Sequence, residues 1–100
     1  MIQVMYRGFI KPGQEEFFKE AWEKLTRAAL EQMKGSRGMA LLRNHDNPSE
    51  FLVIARWDTF EDWRTFWSSD LTKSEWFKQM FLSAEKLTTE IFDEVKNLWQ

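Results

Sequence analysis

One hundred residues make one domain with little core to spare. Fourteen basic and 16 acidic residues are mixed along the chain, for a net charge of −2, and no basic block supplies the positive face that nucleic-acid binding needs. There is no cysteine, hence no disulfide, thiolate ligand or thiol nucleophile, and no apolar run reaches the roughly 20 residues of a membrane helix.

The start of the chain lacks the basic-then-apolar pattern of a secretion signal. The expectation is a soluble cytoplasmic protein with neither nucleic acid nor membrane as a partner. Six Trp, nine Phe and one Tyr are many aromatics for so short a chain. Each buries a large area, so they build either a thick core or an apolar pocket.

Residues 2–10, IQVMYRGFI, are β-rich, and neither alternating set is purely polar. Lys11-Pro12-Gly13 ends that strand. Residues 14–34 carry Phe17, Phe18, Ala21, Trp22, Leu25, Ala28, Ala29 and Met33 at spacings of three and four, which predicts a helix. Glu15 and Glu16 suit its first turn, and Gly35 suits its C-terminal cap. Ser36 to Gly38 reads as a connection, and residues 39–45, MALLRNH, as a second strand. The turn cluster Asp46-Asn47-Pro48-Ser49 joins it to the next strand as an antiparallel hairpin.

Phe51 to Trp57 is almost continuously apolar, which fits a strand covered on both faces. Asp58 or Thr59 then caps a helix whose stripe is Phe60, Trp63, Phe66 and Trp67. Ser68-Ser69-Asp70 breaks it. Thr72 or Ser74 starts a short helix bearing Trp76, Phe77, Met80 and Phe81. Residues 87–99 read as a fourth strand, because Thr88, Thr89, Ile91, Phe92 and Val95 outweigh the helix formers.

The order β-α-β-β-α-β, with the second helical region split, predicts an α+β ferredoxin-like fold. Its four-stranded antiparallel sheet carries the helices on one face. The other face holds Met5, Phe9, Leu52 and Ile54 and is expected to be too apolar for water. A homodimer, sheet face to sheet face, follows as the expectation.

Several quoted stretches bear on family: KPGQEEFFKEAWE, then RGMALLRNHDNPSEFLVIARWDTFEDWRTF. Their ordered markers are Pro12-Gly13, Phe17, Trp22, Gly38, Pro48-x-x-Phe51, Trp57 and Trp63. Over about residues 1 to 80 this set resembles the antibiotic biosynthesis monooxygenase family of dimeric α+β barrel proteins. The resemblance implies that residues 1–100 form one such domain, with two sheets joining into a barrel. It also implies an apolar pocket between sheet and helices for an aromatic or polycyclic compound. Some members oxygenate phenols or hydroquinones with no metal or flavin, and one branch binds and degrades haem. In that branch an Asn stands where this chain has Tyr6, and a His lies beyond the later helix, whereas no histidine follows His45 here. Phe66 occupies a position where many members carry histidine.

An oxygenase without a cofactor needs a dry aromatic slot, a group to handle the phenol proton, and access for oxygen. Trp22, Trp63, Trp67, Trp76 and Phe77 are candidates for the slot, or else plain core. Tyr6 is a candidate donor to a ligand, or else a structural tyrosine bonded to backbone, and Arg43 a candidate partner for a phenolate or carboxylate, or else for a Glu across the dimer. His45, alone and at a turn, does not make a metal site. The function expected is monooxygenation of a small aromatic or quinol compound with no cofactor. The alternatives are a non-catalytic ligand-binding or stress-related barrel and a haem binder.

Overall fold

A computed structural model of the chain describes residues 1–99. Its elements are β1 (Ile2–Ile10), α1 (Glu15–Gln32), β2 (Ser36–Arg43), β3 (Glu50–Trp57), α2 (Phe60–Trp67), α3 (Glu75–Leu82) and β4 (Ala84–Asp93), with a 3-10 turn at Asp70–Lys73 between α2 and α3. All pairings are antiparallel, in the order β2-β3-β1-β4, so the fold is ferredoxin-like α+β.

β3 shows how the faces divide. Phe51, Val53, Ala55 and Trp57 are buried beneath the helices, while Leu52, Ile54 and Arg56 alternate with them on the far side and stay half-exposed. Within one chain, then, the strand is covered on one face only. Tyr6 points the same way as Val4, because it lies across from Val53 on one side and Thr89 on the other.

The core gathers Ile2, Val4, Leu25, Ala29, Ala55, Phe66 and Leu71 around Trp57, whose ring centroid is 5.3 Å from that of Phe66. Trp57 is the largest fully buried side chain. In α1 the inner stripe is Phe18, Ala21, Leu25 and Ala29, with Thr26 buried beside it. Phe17 stands outside it and is exposed, since a run of two aromatics spans more of the helix than one stripe can bury.

Caps settle the helix starts. Thr59, not Asp58, caps α2, accepting the Asp62 N–H at 3.1 Å. Ser74 caps α3 by accepting the Phe77 N–H at 3.2 Å. Thr72 makes no cap: it lies inside the 3-10 turn, and its single hydroxyl proton is shared between the carbonyls of Trp67 and Ser69, each 3.0 Å away. Asp58 instead forms a two-pronged pair with Arg37, at 2.7 and 3.0 Å. Its backbone N–H reaches the Gly35 carbonyl at 2.8 Å. These bonds draw residues 36–38 into the sheet, where a connection was expected, with an irregular register up to Met39.

The last strand starts three residues earlier than its composition suggests and ends at Asp93. Ala84 already pairs with Ile10, directly after the Ser83 carbonyl accepts the Lys11 N–H. A bulge interrupts the β1–β4 pairing between Arg7 and Phe9, and Lys86 adopts φ 55° there. Gly8 faces that bulge. A Cβ on it would lie 2.8 Å from Leu87 Cδ2 and 3.0 Å from the Glu85 carbonyl. Only a glycine lets Leu87 close over the sheet. Beyond Asp93 the chain turns away: Asn97 Oδ1 accepts the Trp99 N–H, and Glu94 binds Arg56 at 3.1 Å.

Candidate ligand site

The aromatics from both layers do not close completely. They leave a cavity of about 100 Å³, open on one side, between the helix-covered face of the sheet and the helices. Tyr6, Met39, Phe51, Val53 and Thr89 form its floor; α1 contributes Phe18, Trp22 and Leu25. Phe66 and Trp67 of α2 and Phe77, Met80 and Phe81 of α3 complete the wall, with Ala84 and Leu87. Its innermost members, Phe18, Leu25, Phe51, Val53 and Phe66, are buried, whereas Trp67, Phe81, Leu87 and Thr89 are exposed and form the mouth.

Almost all of that surface is carbon, and Tyr6 is its polar centre. Trp63 and Trp67 are four residues apart, so both indoles leave the same face of α2. Both donate to one atom: the Tyr6 hydroxyl oxygen accepts Trp63 Nε1–H at 2.8 Å and Trp67 Nε1–H at 3.3 Å. Trp67 also meets Phe77 edge-on, with ring centroids 5.4 Å apart, which ties α2 to α3 across the cavity. On α1, the buried Trp22 Nε1 has no hydrogen-bond partner among the described residues.

Burial pushes the Tyr6 phenol above its ordinary value of 10.0, and the two indole hydrogen bonds only partly oppose this. Tyr6 is therefore a neutral hydroxyl, not a base, at physiological pH. The folded-state value is the raised one. Its contribution to stability is thus complete below pH 10 and is lost as pH rises through the folded-state value. With one tyrosine in the chain, this is directly visible. Tyrosinate absorbance in the folded protein is expected only above pH 10, accompanied by falling stability. An unfolded control should titrate near 10, and a folded protein titrating there too would contradict the buried placement.

Four of the seven residues singled out from the sequence line the cavity: Tyr6, Trp22, Trp67 and Phe77. Trp63 stands behind Tyr6 and reaches the site through that hydroxyl and through its edge-on contact with the wall residue Trp67. Trp76 is not in the wall; it lies on the outside of α3, exposed, with Lys24 Nζ 5.6 Å from its ring. The helix turns it away because Phe77 and Met80 take the inward positions. Arg43 is not there either: β2 ends with it, in a separate groove of about 220 Å³ shared with Arg7, Asn44, Glu50 and Leu52. His45 is fully exposed at the hairpin, 3.3 Å from Asp46.

The wall residues Met80 and Phe81 were legible as a helical stripe but not as a cavity lining. Thr89 was legible only as a strand former; its period-two relation to Leu87 was the available signal.

The model of the family described as antibiotic biosynthesis monooxygenase matches residues 1–74. The chain belongs to the antibiotic biosynthesis monooxygenase family. Solved structures agree in fold across wide sequence divergence. SnoaB of Streptomyces nogalater, a cofactor-independent oxygenase, superposes with a TM-score of 0.83 at 15% identity, over 99% of this chain and 97% of that one. Rv0793 of Mycobacterium tuberculosis gives 0.80 at 11% identity, over 98% of each chain. A conserved protein of Methanosarcina mazei Go1 gives 0.80 at 18%, covering 91% of this chain and 89% of that one. Among curated proteins, a Haloarcula marismortui protein named as a candidate heme-binding protein is 33% identical over 61 residues. That stretch is 61% of this chain and 9% of the relative's length. Among the described residues no helix is long and apolar enough to cross a membrane.

Proposed function

We propose that this family member is a monooxygenase that needs no cofactor and acts on a small aromatic or quinol compound held in the cavity above Tyr6. The observation carrying the reading is the cavity itself: an apolar, aromatic-walled slot with one oriented phenol in its floor, on a monooxygenase-family fold. A hydroquinone can supply all the electrons. Hydroquinone plus O2 gives hydroxyquinone plus water: one oxygen atom enters the ring, the other leaves as water, and no external reductant is consumed. The dry wall favours this by keeping water from a reactive intermediate.

Among the described residues no carboxylate, histidine or lysine lines the cavity. The substrate then binds neutral and must pass its proton to solvent at the mouth, so turnover should rise as pH approaches the first ionisation of the hydroquinone. Oxygen consumption with a panel of hydroquinones tests this. Uptake above the protein-free blank, increasing with pH, is expected. No uptake above blank with any of them would leave the second reading, a non-catalytic ligand-binding barrel, which the missing base favours.

The haem reading fits poorly. Met39, Met80 and Tyr6 are the only wall residues able to ligate iron, and the Tyr6 oxygen already accepts two indole hydrogen bonds. Haem titration should therefore produce no Soret shift at micromolar protein.

The far face of the sheet supports a homodimer. Leu52 and Ile54 of β3, Met5 and Phe9 of β1, Leu42 of β2 and Phe92 of β4 share it. Leu42 and Phe92 are among the exposed large apolar residues. These apolar residues, interleaved with Arg7, Arg56, Glu50 and Glu90 on the same face, are an expected association surface, and a second copy would pair the face with an identical one.

A further inference from the structure

We infer that the cavity selects a single-ring compound bearing an oxygen acceptor, and that Tyr6 is the donor that holds this oxygen. This rests on the reading of the cavity as a ligand site but does not require that the ligand be oxidised.

The hydroxyl geometry carries the inference. A phenolic oxygen has one proton to give and lone pairs to accept with. Trp63 Nε1–H and Trp67 Nε1–H, at 2.8 and 3.3 Å, take the acceptor side. The Tyr6 proton must therefore point away from both indoles, and it finds no acceptor among the described residues. A buried donor without a partner is costly, and Tyr6 lines the cavity. What the site lacks is an acceptor. The other hydroxyl at the wall is compatible with this: Thr89, directly across the ladder from Tyr6, can donate as well as accept. No cation lines the wall, so a neutral carbonyl or phenol oxygen fits better than a carboxylate, whose charge would stay unpaired.

Size narrows the class further. An apolar cavity of about 150 Å³ holds one benzene. At about 100 Å³ with an open mouth, this one seats one ring, and a larger skeleton must project past Phe81 and Leu87.

The test uses two near-isosteric probes, acetophenone with a carbonyl acceptor and isopropylbenzene without one. Binding is measured by tryptophan fluorescence quenching and calorimetry, on wild type and on Tyr6→Phe. Wild type is expected to prefer acetophenone, and Tyr6→Phe to lose roughly three- to tenfold of that preference, the size of one hydrogen bond. Isopropylbenzene should bind both proteins alike, which shows that the variant retains its cavity. The infrared carbonyl band of bound acetophenone should move to lower frequency in wild type and return in the variant. A two-ring ketone, acetylnaphthalene, should bind more weakly than acetophenone. Equal preference in both proteins, with an unshifted carbonyl, overturns the donor role of Tyr6 and leaves the cavity as a ligand site. Stronger binding of acetylnaphthalene overturns the single-ring limit. Failure of every probe to bind wild type overturns this inference and the ligand-site reading together.

Discussion

Replacing Trp57 by alanine is expected to cost about 3–5 kcal/mol of folding stability, the range for emptying a large aromatic from a packed core. Trp57 is the side chain on which the two layers meet: it closes β3, pairs with Ile2, and packs on Phe66 of α2. A domain of this length has about 5–15 kcal/mol in total, so the loss is a large fraction of the whole. It should lower Tm by at least about 12 °C at fixed protein concentration. The indole N–H contributes nothing to set against this, for Trp57 Nε1 is buried without a partner among the described residues. Trp57→Phe should therefore be much milder, since it keeps most of the volume and removes the orphaned donor. Equal damage from both substitutions, in thermal or urea unfolding, would show that packing volume is not what Trp57 supplies.

Ile54→Lys is expected to have its large effect on association and little on the fold of one chain. Ile54 sits on a central strand, between Met5 and Ala40, on the face turned away from the helices. In a single chain it is only half-buried, so a lysine there can remain hydrated. In a face-to-face dimer the same change would bury one lysine from each copy in the interface, a cost of several kcal/mol. Sedimentation should show wild type at twice 12.1 kDa and the variant at 12.1 kDa, with unchanged circular dichroism. A wild type that sediments as one chain would remove the dimer altogether. A variant that stays dimeric would move the interface to another surface.

The order of elements was legible because the period of the apolar residues changes abruptly. Phe51 to Trp57 and Phe60 to Trp67 differ in period within one short stretch, and the structure breaks there, at a Thr59 cap. The start of β4 was less legible. Ala84, Glu85 and Lys86 are ordinary helix residues, and the strand there is imposed by pairing with Ile10 and Phe9. Tertiary context also decided residues 36–38, where the Arg37–Asp58 pair recruits a glycine-containing connection into β2. At the site, the spacing of Trp63 and Trp67 was plain, but not that both indoles meet one hydroxyl contributed from the far end of the chain. Trp76 shows the limit in the other direction. It shares a short apolar helix with Phe77, and composition alone cannot say which of two adjacent aromatics turns inward.

β1 is flanked by β3 on one side and β4 on the other, so the earliest strand needs the latest one to fill its second edge. During synthesis, α1 and the β2–β3 hairpin can assemble on β1 while that edge is still bare. Completion must wait for residues 84–93 to leave the ribosome, and closing so long a loop is slow. In that interval another nascent copy can lend its own final strand, so strand exchange is the misassembly this topology invites.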